Sequence, residues 1–126
     1  MDFNNRFSHE NIVNVFATAT YGSDWLLMKV AKDKKSQQLK MEANKKDLNC
    51  REDIWAYVLE HGGKVVCYDG EEDEEHEITM EDYKKGFDIF IQQCPKHYAD
   101  LMCDDGDYYT SDALMQCVMF GEVVYG

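Results

Sequence analysis

Basic residues are scarce in this chain: thirteen lysines and arginines stand against twenty-five acids in 126 residues, leaving a formal charge of -12 and a pI near 4.6. A protein that holds DNA or RNA by neutralising phosphates needs the opposite balance, so direct nucleic-acid binding is disfavoured and a basic partner favoured. No stretch approaches the ~18 consecutive apolar residues that cross a bilayer. The opening MDFNNRFSHE has neither the basic start nor the apolar run of a secretory signal. A cytoplasmic protein with no membrane contact is expected. Proline occurs once, at Pro95, and neither an internal repeat nor a Pro/Ser-rich linker divides the chain. At this length that predicts a single acidic domain over residues 1–126.

Hydrophobic residues make up 44% of the chain, with six Phe, eight Tyr and two Trp. This is enough for a core and separates the protein from acidic disordered tails, which are poor in aromatics. The five cysteines, Cys50, Cys67, Cys94, Cys103 and Cys117, are an odd number in a chain without an export signal, which argues for reduced thiols. Cys94, Cys103 and Cys117 lie in or beside apolar helical patterns, where a free cysteine acts as a small buried hydrophobe.

Ser8 is placed to cap a first helix carrying Ile12, Val13, Phe16 and Ala17 and ending near Tyr21-Gly22. Trp25 to Ala31 is a short apolar run, read as a strand in preference to a continuing helix. Residues 32–49 hold several lysines and only Leu39, Met41 and Leu48 as sizeable apolar residues, which predicts an exposed loop or a loosely held helix. Asn49 is expected to cap a helix bearing Ile54, Trp55, Val58 and Leu59, stopped by Gly62-Gly63. Lys64 to Asp69 and His76 to Thr79 flank an acidic tip as a β-hairpin. Thr79 then opens a helix whose stripe is Tyr83, Phe87, Phe90, Ile91 and Cys94, with Glu81 and Asp82 in its first turn and Pro95 as its stop. A short helix over 96–103, a turn at Asp104 to Asp107, and a last helix capped by Ser111 and closed by Gly121 complete the pattern. Residues 122–126 are short and β-prone and are expected to add a strand to the hairpin. The sum is an α+β domain, four or five helices on a short antiparallel hairpin or three-stranded sheet.

Charge is unevenly spread. Residues 29–51 carry a net +5 and residues 52–126 a net -15. In the acidic part, Asp69, Glu71, Glu72, Asp73, Glu74, Glu75 and Glu77 crowd nine residues with no base, and Asp100, Asp104, Asp105, Asp107 and Asp112 form a second cluster. An acidic run is ordinarily a solvated surface. Two such clusters on one small domain instead suggest carboxylates set out like nucleic-acid phosphates, able to collect Arg and Lys by charge-assisted hydrogen bonds and to steer encounter. Tyr108 and Tyr109 beside the second cluster are candidate anchors at an acidic rim, as is Tyr68, which core packing explains equally well.

Other chemistries fit less well. An EF-hand loop alternates its acids ahead of a glycine, whereas Asp104-Asp105-Gly106-Asp107 brings the glycine third and puts Tyr109 where a ligand belongs. Cys94, His97 and Cys103 lack the second close pair of a closed zinc site. There is no Gly-x-Ser-x-Gly elbow and no phosphate-cradling Gly-rich loop, and His9, His61, His76 and His97 sit at element ends or among acids. No enzyme activity, cofactor or metal is expected. The lysine-rich segment Lys29 to Arg51 lacks the interleaved aromatics that stack bases.

The ending SDALMQCVMFGEVVYG, residues 111–126, resembles that of small acidic proteins encoded on phages and other bacterial mobile elements. The similarity extends to YGSDWL at residues 21–26 and, loosely, to the helix, Gly-Gly, strand, acidic tip, strand, helix order of residues 50–94. The resemblance makes Leu114, Val118, Phe120 and Val124 core positions and Gly121 a turn, and carries no catalytic residue. It implies a phage-type setting, whose small non-enzymatic proteins include anti-CRISPR and antirestriction inhibitors that act by stoichiometric binding. The expected function is inhibition of a bacterial defence complex, its basic groove met by Asp69, Glu71 to Glu75, Glu77, Asp100, Asp104, Asp105, Asp107, Tyr108 and Tyr109. A sponge for a nucleotide signal, built on the Lys29 to Arg51 segment, and a self-associating phage assembly subunit are the rivals.

Overall fold

Helix-capping chemistry and two hydrophobic periodicities account for most of the architecture. The computed structural model describes residues 1–48 and 50–126. After a short 3-10 turn at Phe3–Asn5, the order is α1 (His9–Gly22), β1 (Leu26–Val30), α2 (Lys34–Lys45), α3 (Arg51–Glu60), β2 (Val65–Asp69), β3 (Glu74–Ile78), α4 (Met80–Gln93), α5 (Pro95–Met102) and α6 (Tyr108–Phe120). This is a small α+β domain. The three strands form an antiparallel sheet in the order β1-β2-β3.

The Ser8 hydroxyl accepts the Asn11 N–H and starts α1. Thr79 and Asp82 form a reciprocal capping box that starts α4. Gly62 and Gly121 end α3 and α6 with φ of 88° and 76°, conformations that cost glycine nothing. The core is made where α1, α3, α4 and α6 meet one face of the sheet. Phe16, Tyr83, Phe87 and Phe90 are fully buried there, and Phe16 meets Tyr83 edge-to-face at 5.7 Å. At the amino end of α1, the His9 ring joins α1 to α3, with Nδ1 2.7 Å from Glu60 Oε1 and Nε2 2.9 Å from Asp53 Oδ1.

Several expectations are revised. The third strand is β1, and residues 122–126 lie outside the sheet. They are held instead by a side chain of α6: Gln116 Oε1 accepts the Val124 and Tyr125 N–H groups at 2.7 and 2.8 Å. Val124 is therefore exposed rather than core, and Val118 and Phe120 are half-buried. The last helix begins three residues before Ser111, because the Asp107 carboxylate accepts the Thr110 N–H while the Thr110 hydroxyl caps back. Ser111 is buried inside the helix. Residues 34–45 are helical, since Ser36, Leu39 and Ala43 recur on one face and are buried; α2 is the sixth helix. On α1 the buried stripe is Ile12, Val15, Phe16 and Ala19, with Val13 and Ala17 at its margin. The cap position of α3 falls on Cys50, which makes no side-chain cap hydrogen bond; Asn49 lies outside the described residues. Cys103 is exposed at the end of α5, whereas Cys117 is buried.

Candidate functional site

Of the acids marked in the sequence, Glu71 and Asp112 meet Tyr108 and Tyr109 at one cleft of about 630 Å³, whereas Glu72 to Glu75, Glu77, Asp100, Asp104, Asp105 and Asp107 do not line it. Three parts of the fold build it. The α1–β1 turn supplies Asp24 and Trp25, the start of the hairpin tip supplies Glu71, and α6 supplies Tyr108, Tyr109, Asp112 and Gln116; His97 of α5 and Tyr125 of the C-terminal segment close the sides. Asp24, Glu71 and Asp112 face this space, and no Lys or Arg lines it.

The polar groups at its base are locked in place. Asp112 accepts the Trp25 indole N–H at 2.8 Å on one oxygen and the Gln116 amide on the other. Gln116, 2% exposed, holds the C-terminal segment through its carbonyl oxygen. Tyr125 packs edge-on against Trp25 at 5.2 Å and donates its hydroxyl to Asp69 at 2.6 Å. That bond, with burial and the neighbouring acids, pushes the Tyr125 phenol well above its usual range. Tyr108 and Tyr109 lie ring against ring at 4.0 Å. Hydrogen bonding to Tyr109 and desolvation push Tyr108 up to about 12, so its phenol stays neutral at physiological pH. Gly22 forms the floor under Tyr108. A β-carbon there would fall 2.4 Å from the ring, so the glycine sets how deeply Tyr108 sits.

Tyr108 and Gly22 also line a neighbouring open hollow with Tyr21, Arg51 and Glu52. Tyr21 is 92% exposed and Tyr109 57%, and Val123, which lines the cleft, is exposed as well. The result is a tyrosine-rich apolar strip with an acidic rim, the composition of a protein-binding surface.

The acids expected from sequence separate into distinct roles. Asp69 is 1% exposed and its carboxylate is taken by the Tyr125 hydroxyl and the Glu71 N–H, so it organises the hairpin from inside and is not open to a partner. Glu71 opens on the cleft, while Glu72, Asp73, Glu74, Glu75 and Glu77 are exposed along the hairpin. Asp73 accepts the Tyr68 hydroxyl, and Glu75 pairs with Lys29 at 3.1 Å. Asp104 binds the chain's amino terminus at 2.6 Å, Asp107 caps α6, Asp105 is exposed and Asp100 is half-buried. Sequence reasoning missed Asp24, Trp25, His97, Gln116 and Tyr125 as cleft residues. The signal available for one of them, Gln116, was its spacing from Asp112, one helical turn apart on the same face. Among the described residues, no group of three His, Cys, Asp or Glu side chains is placed to hold a metal, and no described helix is long and apolar enough to cross a membrane. No protein-family model, curated protein or solved structure matches this chain.

Proposed function

We propose that this protein is a stoichiometric inhibitor of a bacterial defence complex, of the anti-CRISPR or antirestriction kind, that binds a basic nucleic-acid-handling partner and performs no reaction of its own. The observation that carries the reading is the cleft: Asp24 and Glu71 open on it, no described Lys or Arg lines it, and the closely set rings of Tyr108 and Tyr109 supply aromatic surface at its wall. Arg is the side chain this arrangement suits. Its guanidinium can bind a carboxylate through two hydrogen bonds and lie flat on a tyrosine ring. The exposed hairpin acids Glu72 to Glu75 extend the negative field beyond the cleft and steer the encounter.

A nucleotide sponge is less well supported. An anionic ligand would meet Asp24, Glu71 and Asp112 in the cleft, while the α2 lysines are exposed along a separate helix.

The test is capture of partners from a host carrying defence systems, followed by binding measurements on the purified complex. The expected partner is a nucleic-acid-handling protein whose DNA or RNA competes with this chain, with affinity falling as salt rises. Reversing Glu71, Glu72 and Glu74 to Lys should weaken binding at least about tenfold, as should Tyr109→Ala, while Lys40→Glu on α2, which does not line the cleft, should not. Affinity indifferent to both the acid reversals and competing nucleic acid would overturn the reading; a stable homo-oligomer without a host partner would replace it with an assembly role.

A further inference from the structure

β3 lies at the edge of the sheet, last in the order β1-β2-β3, and the hydrogen-bond phase of the ladder decides which of its backbone groups are engaged. The Gly70 N–H donates to the Trp25 carbonyl and the Ala31 N–H to the Lys64 carbonyl. On β2 the even-numbered residues therefore bond β1, and the odd-numbered Val65, Cys67 and Asp69 turn to β3. Their partners there are Ile78, His76 and Glu74. Glu75 and Glu77 thus direct their N–H and C=O groups away from β2, and no other backbone group among the described residues takes them. The side chains of the same two residues alternate with the buried Ile78, so they stand on the sheet face opposite the core, where both are exposed. On that face Lys29 of β1 already reaches Glu75 Oε1 at 3.1 Å. His76, between them, faces the other way: its ring is edge-on to Phe120 at 5.2 Å, and its Nε2 is buried without a hydrogen-bond partner.

We propose that the β3 edge receives an extended basic segment of the partner protein as a fourth strand, with Lys or Arg at alternate positions, an inference that rests on the reading of this protein as the binder of a basic partner. In an antiparallel pairing, two residues of the incoming strand, one position apart, exchange hydrogen bonds with Glu75 and Glu77, and their side chains fall on the same face as the two carboxylates. The residue between them lies beside His76, where a β-branched Val or Thr fits the pleat and a Thr hydroxyl suits the unfilled Nε2. The pattern that fits is therefore basic, β-branched, basic. A slip of one residue would turn the basic side chains to the core face and leave the glutamates facing Val or Thr. A charged edge ordinarily keeps strands apart, and here the repulsion is selective. A second copy's β3 would set glutamate against glutamate, whereas a basic strand forms charge-assisted pairs. The other edge strand, β1, has the sequence LLMKV with no acid, and so offers a basic strand no such match.

The test adds a capped synthetic peptide, Arg-Thr-Arg-Thr-Arg, to the full-length protein. Binding should slow hydrogen exchange at the Glu75 and Glu77 amides at least about tenfold. A block-order peptide of the same composition, Arg-Arg-Arg-Thr-Thr, and the alternating peptide with backbone N-methylated arginines should each bind at least about tenfold more weakly, since one loses the register and the other the donors. Glu75→Lys combined with Glu77→Lys should cost the alternating peptide about tenfold or more. Glu10→Lys combined with Asp88→Lys alters the net charge equally from exposed positions on α1 and α4, and should change affinity less than about threefold. No binding, unchanged exchange at Glu75 and Glu77, or equal affinity for the block-order or N-methylated peptide would overturn the proposal. No host protein enters this measurement, so its failure is distinct from failure to capture a defence complex. A captured partner that leaves the Glu75 and Glu77 amides exchanging as in the free protein would likewise overturn strand docking, while the inhibitor reading would stand.

Discussion

Gln116 shows how one buried side chain does the work of a strand. Its carbonyl oxygen takes two successive N–H groups from residues 124 and 125, and its amide nitrogen donates to Asp112, which in turn holds the Trp25 indole. A short terminal segment with no sheet partner is thereby held to the domain, bringing Tyr125 onto Trp25 and its hydroxyl to Asp69. Each such hydrogen bond contributes about 1 kcal/mol net, and a buried acceptor left without its donor costs more. Gln116→Glu keeps an acceptor for Val124 and Tyr125, but it removes the donor to Asp112 and places a second carboxylate beside it. The expected result is release of the C-terminal segment: hydrogen exchange at Val124 and Tyr125 should accelerate about tenfold or more, for a global loss of roughly 1–3 kcal/mol. Unchanged protection at those two amides would mean that aromatic packing of Tyr125 holds the segment without the latch.

At the level of elements, legibility followed how local each signal was. Ser8, Thr79, Gly62 and Gly121 act within a turn of their own positions, so the bounds of α1, α4 and the ends of α3 and α6 could be read from neighbouring residues. The hairpin was equally local, with β2 and β3 separated only by an acidic turn. The start of α6 was misplaced because Asp107 and Ser111 are both good caps, and only packing, which buries Ser111, decides between them. The α2 segment looked loose because its lysines outnumber its apolar residues, although Leu39 and Ala43 suffice once α3 is there to cover them. The cleft was legible only in part. Glu71, Tyr108 and Tyr109 were marked by charge and chemistry, whereas Asp24 and Tyr125 reach it through contacts between residues about a hundred positions apart. One close approach of two helices was also invisible from sequence. Gly86 lies against the Val118 backbone, where a β-carbon would stand 2.4 Å from its Cα. Helix propensity favours Ala over Gly by about 1 kcal/mol, but α4 and α6 would have to separate, at a cost of about 1–3 kcal/mol or more. Gly86→Ala should therefore lower the denaturant midpoint, and a raised midpoint would show that the α4–α6 contact yields readily.

Across the whole molecule, the -12 charge is a standing repulsion that folding must overcome, concentrated in residues 52–126 and offset only in part by the lysines of α2. Added salt screens that repulsion and should raise the melting temperature of the wild-type protein. His9 is a local counterweight, since its ring sits between Glu60 and Asp53, each within 3 Å of a ring nitrogen. Burial works against a charged imidazole there, but the hydrogen bonds and charges of Asp53 and Glu60 outweigh it, and the His9 pKa is raised. A group whose folded-state pKa lies above its unfolded value stabilises fully below the unfolded value, about 6.5, and loses that contribution as pH rises through the folded value. Wild-type stability should therefore decline as pH rises above about 6.5. The shift in melting temperature should be only a few degrees, because the ring is partly exposed and its pairs are screened by solvent. His9→Gln keeps hydrogen-bonding capacity without a titrating proton and should flatten the decline while leaving the response to salt. If the variant follows the wild-type pH profile, the pH dependence belongs to diffuse charge repulsion and the α1–α3 junction makes no titrating contribution. If salt instead lowers stability in both proteins, specific ion pairs such as Lys29–Glu75 outweigh the repulsion of the acidic face.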